Sequence, residues 1–274
     1  MSKRPIRRSL RCVRARVIRG ASPASLQNRI SCATVVVYRR LRQHSEMSSM
    51  NQQAASEPPS DFLTAAYALD GPEANRELYA QWAETYESGF VSQRRYEYPE
   101  HVAEIFANSV PFADAPVLDV GCGTGMVGQA LQRRGLRTID GIDISPEMLE
   151  QARAKVVDGV AVYRTLTEAD LTRTLSIESD TYAGVVSVGT FTHGHVGPAA
   201  LSELVRITRP GGRATIGINA AHFAACEFAS TLEALHAASF ITTTTSIVVP
   251  IYGEADMSDP DQFAYVISFE VLAC

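Results

Sequence analysis

The sequence predicts a doubly wound, Rossmann-like α/β fold, and three observations carry that prediction. From about residue 111 onward, apolar runs of strand length alternate with amphipathic segments about 10–15 residues long. A glycine turn, Gly121, Gly123 and Gly125, directly follows the first of those runs. The last two apolar runs are joined by a stretch too short for a helical crossover, so the final strand is expected to run antiparallel to the others.

Each element has its own justification. Between Asp61 and Asn108 the pattern is helical: Leu78, Trp82, Ala83 and Tyr86 recur at helical spacing, and Pro99 opens a second helix with Val102, Ile105 and Phe106 inward. PVLDV then reads as a strand, MVGQALQRRG as a helix closed by Gly135, and TIDGIDI as a strand. SPEMLEQARAK is a helix with Ser145 as N-cap and Pro146 in the first turn. VAVYRTL and YAGVVSVGTF read as strands, and PAALSELVRITRPGG as a helix ended by Pro210 and two glycines. RATIGINA is a strand, CEFASTLEALHAASF a single helix, and SIVVPIYG and FAYVISFEVLA the two closing strands. The run of threonines at 242–245 reads as loop or strand entry. Residues 61–110 thus form a helical N-terminal segment, and 111–274 the α/β domain.

Charge divides the chain. Residues 1–45 hold 12 of the 25 Lys/Arg and none of the 30 Asp/Glu. This Arg-rich, acid-free leader has the composition of an organellar transit peptide. It also suits a solvated basic tail, or sequence ahead of a start at Met47 or Met50. With the polar linker that follows, it places residues 1–60 outside the fold. The acidic remainder repels phosphate backbones, which argues against nucleic acid and for a small-molecule substrate. No stretch reaches the roughly 18 apolar residues of a membrane span. Cys12, Cys32, Cys122, Cys226 and Cys274 are scattered and odd in number. They suggest neither a disulfide framework nor a zinc site and fit a reducing compartment. The cytoplasm is the expected location, or an organelle matrix if the leader is a transit peptide. Oligomeric state is not legible.

The glycine turn allows two readings. Gly123, Gly125 and Gly128 spell G-x-G-x-x-G, and Asp143 follows Gly123 by 20 residues, which is the spacing of a dinucleotide fingerprint. S-adenosylmethionine is the other ligand of such a turn. A carboxylate at Asp119, inside the strand end, suits a cationic amino-acid tail and repels a pyrophosphate. Asp143 suits ribose hydroxyls. The motif also follows about 50 helical residues, where dinucleotide domains commonly open with theirs.

Taken together, VLDVGCGTG, IDGIDISPEML, EADLT, YAGVVSVGTF and ITRPGG resemble the successive motifs of class I S-adenosylmethionine-dependent methyltransferases. YAQWAETY and VGTFTHGHVGPAAL resemble the Williams–Beuren-region methyltransferase-like subfamily, with coverage from about residue 75 to 272. The resemblance implies a seven-stranded, mostly parallel sheet with its last strand antiparallel and S-adenosylmethionine across its carboxyl edge. It implies that Asp119, Gly121, Gly123 and Gly125 hold the methionine end, and Asp143 the ribose. Ile144 and Met148 would pack on adenine, with Asp170 at its amino group and Leu171 beside it. Where the family has Asp after Tyr182, this chain has Ala183, at a position whose role in the family is structural.

Methyl transfer from a sulfonium is an in-line displacement in which orientation can supply about 7–11 kcal/mol. A general base adds a factor on the order of 10²–10⁴ for hydroxyl or amine acceptors. His193 and His195, just past the fourth strand, are the candidates for base or substrate contact. Loop hydrogen bonding and a metal pair are the competing roles, though no further His/Cys cluster completes a metal site. Trp82 and Tyr86 are either core stripe or a lid over the sulfonium, with Tyr96 and Tyr98 as further candidates for that wall. Arg94 and Arg95 read as a solvated pair, and His101, His222 and His236 as ordinary helix or surface residues. An NAD-dependent oxidoreductase and a non-catalytic cofactor-binding protein are the alternative functions, and neither a Tyr-x-x-x-Lys pair nor an N-P-P-Y tetrapeptide names a substrate.

Overall fold

The computed structural model describes residues 35–37, 61–69, 71–110, 114–256 and 258–273, and the expectations for the basic leader and linker otherwise fall outside it. Seven long strands and one short edge strand form the sheet; the seven are β1 (Val117–Val120), β2 (Ile139–Asp143), β3 (Thr165–Glu168), β4 (Tyr182–Phe191), β5 (Thr208–Asn219), β6 (Thr245–Pro250) and β7 (Phe263–Glu270). Their order is β3-β2-β1-β4-β5-β7-β6, with β7 antiparallel to both β5 and β6 and the other pairs parallel. A three-residue strand, Val35–Val37, lies parallel along β6, inside the stretch that composition set outside the fold. Three consecutive valines suit an extended edge.

Both faces of the sheet are covered, so its central strands are apolar runs rather than alternating ones. In β4, Val185 packs with Leu201, Leu204, Ile207 and Phe228 on one face. The next residue, Val186, packs with Phe106, Val102 and Leu131 on the other. The helices of the first face are α6 (Ala200–Ile207), α7 (Ala220–Ala225) and α8 (Phe228–Ala237). Those flanking the other side and the sheet's carboxyl edge are α1 (Asp61–Tyr67), α2 (Pro72–Trp82), α3 (Tyr98–Ser109), α4 (Met126–Arg133) and α5 (Pro146–Arg153).

Four local features depart from expectation. Thr208 is already extended and pairs with Tyr182, so β5 begins there rather than after the glycines, and an irregularity in register follows. VAVYRTL is not one strand: Asp158 and Gly159, both at positive φ, turn a small hairpin between Val156–Val157 and Val160–Ala161 before β3 starts. The helix expected across 226–240 is present as Phe228–Ala237, and a further short helix, Ala220–Ala225, precedes it, capped by Asn219 accepting from the His222 N–H. The Tyr86–Val91 segment winds as a π-helix.

The chain runs from β1 outward to β2 and β3, then returns to the other side of β1 as β4. That reversal opens a crevice outside the carboxyl ends of β1 and β4, where open α/β sheets bind ligands.

Candidate functional site

The turn after β1 builds the floor of the crevice. Gly121, Gly123 and Gly125 all take positive φ, at 66°, 52° and 92°. A Cβ on Gly121 would lie 1.9 Å from Oγ1 of Thr190, so β4 and the turn approach each other only because that side chain is missing. Thr190 and Ser187 fix the approach by donating from their hydroxyls to the Val120 carbonyl, at 3.1 and 2.8 Å. The crevice encloses about 1020 Å³, counting the open solvent at its mouth.

Asp143 stands at the end of β2 and lines this cleft. Its Oδ2 accepts from the Gly123 N–H at 2.8 Å and its Oδ1 from the Ser145 N–H at 3.0 Å. Burial raises its pKa, opposed by the backbone donors of Ser145, Gly123 and Ile144. Ser145 in turn caps α5 by accepting from the Met148 N–H, which sets Ile144 and Met148 along the cleft wall. Asp170 and Leu171 line the same wall, and Asp170 Oδ1 accepts from both the N–H and the hydroxyl of Thr172.

The roof comes from α2 and the π-helix. Arg76 donates to the Ile144 carbonyl at 3.2 Å and pairs with Glu168, tying α2 to the rim beside Asp143. Asn75, Tyr79 and Tyr86 then line the cleft. The Asn75 amide donates to the carbonyls of Gly194 and Gly71, and its buried Oδ1 has no partner.

His195 lies against Tyr79. Its Nδ1 sits 2.6 Å from the His193 carbonyl, which only accepts, so Nδ1 carries the proton and Nε2 takes the Tyr79 hydroxyl at 2.9 Å. Burial lowers the His195 pKa, so the ring is neutral at pH 7, and burial raises that of Tyr79.

Several expected site residues lie elsewhere. Asp119 is beneath the turn: its Oδ2 accepts from the Gly128 N–H at 3.1 Å and from the Tyr163 hydroxyl at 2.7 Å, and Oδ1 has no partner. Burial pushes its carboxyl up to about 7, opposed by the bonds from Tyr163 and Gly128. Gly125 sits behind the turn against Tyr163 and Lys155 rather than on the cleft wall. His193 points away and meets Asp261 at 3.0 Å. Trp82, 3% exposed, stacks on Phe62 and meets Tyr86 and Phe90 edge-on, lining a second cavity behind the cleft. Asn75, Tyr79 and Thr190 were missed. The available signal was an amide and a phenol sharing one face of α2 with Trp82.

This arrangement has known counterparts. Residues 117–212, from β1 into the glycines of β5, match the methyltransferase domain family. Over those residues the chain is similar to methyltransferase domains. Human methyltransferase-like protein 27 is 32% identical over 153 residues, covering 55% of this chain and 60% of that one. The ubiquinone biosynthesis O-methyltransferase of Xylella fastidiosa is 30% identical over 112 residues, covering 40% and 44%. The chain thus spans less than two thirds of these relatives' lengths. A Haloferax volcanii methyltransferase, solved in complex with the Trm112 activator, has the same fold at TM-score 0.51. Identity there is 19%, over 71% of this chain and 98% of that one. The mostly parallel sheet with antiparallel β7 is the architecture the sequence resemblance implied.

Proposed function

We propose that the chain is an S-adenosylmethionine-dependent methyltransferase acting on a small-molecule acceptor. The carrying observation is the polarity of the cleft: it accepts hydrogen bonds and offers no positive charge. Among the described lining residues there is no Lys or Arg, while Asp143 and Asn75 line it and the Asn75 Oδ1 has no hydrogen-bond partner. A buried acceptor without a donor costs about 1–3 kcal/mol, which an ammonium group removes. Thr124 Oγ1, on the turn, is a second buried atom without a partner. A ribose diol suits Asp143, whose two oxygens are already oriented by backbone donors. A pyrophosphate would meet carboxylate and carbonyl oxygen instead, which disfavours the dinucleotide reading. When bound, the sulfonium supplies an activated methyl group whose departure leaves the carbon–sulfur electron pair on sulfur.

The chain's own residues then have two tasks. Arg76 holds α2 as a roof that shields the acceptor from water. Tyr79 and His195 form a relay for the acceptor's proton: Tyr79 accepts it as its own passes to the neutral Nε2 of His195. Support for a proton-bearing acceptor, a hydroxyl or an amine, comes from that relay.

Calorimetric titration with S-adenosylmethionine and, in parallel, NADH tests the reading. Micromolar binding of the first alone, lost in Asp143→Ala, is the expected result. Binding of NADH alone would overturn it.

A further inference from the structure

Behind the Tyr79–His195 pair lies a second cavity of about 520 Å³, counting open solvent, that shares Tyr79, Tyr86, Tyr96, Gly189 and His195 with the cofactor cleft. We propose that this chamber is the acceptor site, and that it takes an uncharged, single-ring aromatic molecule bearing a hydroxyl group. The proposal rests on the methyltransferase reading and specifies its acceptor class.

The lining decides the class. None of its described residues is Asp, Glu, Lys or Arg, and aromatic rings dominate, among them Tyr67, Tyr79, Trp82, Tyr98 and Tyr252. Burial raises the pKa of Tyr67, Tyr79, Tyr98 and Tyr252, so these phenols stay neutral. A carboxylate or phosphate entering would lose its hydration with no cation to replace it. A flat, uncharged ring meets edges and faces that suit it.

Tyr98 supplies the second observation. It is 2% exposed, and its hydroxyl has no hydrogen-bond partner. That hydroxyl sits over Gly217, where a Cβ would lie 1.9 Å from it, so the strand leaves room for a polar atom that nothing in the protein satisfies. Buried hydroxyls are normally paired, and an orphan in a chamber wall marks where a ligand's polar atom belongs. The Tyr79–His195 pair lines the same chamber and would meet an acceptor hydroxyl, so the walls offer polar groups to two substituents on one ring.

Trp82 is the chain's only tryptophan and lines this chamber, so its emission reports occupancy directly. The full chain, saturated with S-adenosylhomocysteine, is titrated with 4-hydroxybenzyl alcohol, 4-hydroxybenzoate and 4-hydroxybenzylammonium, exciting at the red edge of the indole band. The neutral probe is expected to change Trp82 emission saturably and to bind at least about tenfold more tightly than either ion. Tyr98→Phe should weaken it roughly tenfold, the scale of one lost hydrogen bond. Because that variant removes only an unsatisfied hydroxyl, its melting temperature should not fall. Tighter binding of the ammonium would identify a cation cage and overturn the proposal, as would equal binding of the carboxylate or undiminished binding in Tyr98→Phe. If the homocysteine product binds by calorimetry while no probe alters Trp82, the chamber assignment fails and the methyltransferase reading stands. If the neutral probe binds selectively and the cofactor does not, the chamber stands and the methyltransferase reading fails.

Discussion

Asp119→Asn isolates the electrostatics under the glycine turn. In the folded protein burial pushes the Asp119 carboxyl from an ordinary 3.8 up to about 7. Between those values the folded chain holds a proton that the unfolded chain has released, so stability falls as pH rises through that window and levels off above it. At about 1.4 kcal/mol per pH unit, the loss by pH 8 is on the order of 4 kcal/mol. Asparagine is close in shape to the protonated acid and keeps an oxygen for the Gly128 N–H and the Tyr163 hydroxyl. Its amide replaces the Oδ1 that lacks a partner in the native protein. The two proteins should therefore match within about 1 kcal/mol at pH 5. At pH 8 the variant should be the more stable, by about 3 kcal/mol, the share of that loss that falls between pH 5 and 7. Urea unfolding of both without ligand, at pH 5, 6, 7 and 8 and one ionic strength, measures the difference. Curves that stay parallel across this range would show that Asp119 is already ionised at pH 5, and the burial argument would fail.

Other perturbations separate the cleft from the relay. Tyr79→Phe and His195→Gln should each lower kcat by roughly 10²–10⁴ while cofactor binding by calorimetry stays within a few fold. A purely structural role would instead depress both together. Gly121→Ala, with a Cβ aimed 1.9 Å from Thr190 Oγ1 at φ 66°, should cost at least about 1–2 kcal/mol in unfolding experiments and weaken cofactor binding. Arg76→Ala removes a half-exposed ion pair and the bond to the Ile144 carbonyl. It should change global stability by less than about 1 kcal/mol, yet speed hydrogen exchange in Pro72–Trp82.

Most of the sheet was legible because its signals are local. Val185 and Val186 face opposite cores, so a run such as YAGVVSVGTF can only be a strand buried on both sides. Gly121 and Asp143 follow directly from their strands, and the ligand-facing ends of parallel strands all fall at one edge. What the sequence obscured were local alternatives of similar energy. Asp158-Gly159 carries a hairpin signal, yet it falls between the helix SPEMLEQARAK and the strand VAVYRTL, where it reads equally as a plain connecting turn. The short helix Ala220–Ala225 starts on Asn219, which caps it by accepting from the His222 N–H, and at six residues it is too short for helical periodicity to report.

The site was harder to read than the fold because its partners are distant in sequence. Asn75 reaches the Gly194 carbonyl across 119 residues, and Tyr79 reaches His195 across 116. Helical spacing puts Tyr79, Trp82 and Tyr86 near one another on one stripe, which is the pattern of a core face, and it serves as one: Trp82 is buried against Phe62 and Phe90. The same stripe also lines both cavities. A stripe that is core and site wall at once has no distinguishing composition, since both uses favour large aromatic rings. The distinction lies in satisfaction of polar atoms. Tyr79 has a partner in His195, whereas Tyr98 has none and faces a strand that leaves it space at Gly217. Hydrophobic patterning sees the ring and not the hydroxyl, so it cannot tell the partnered Tyr79 from the unpartnered Tyr98.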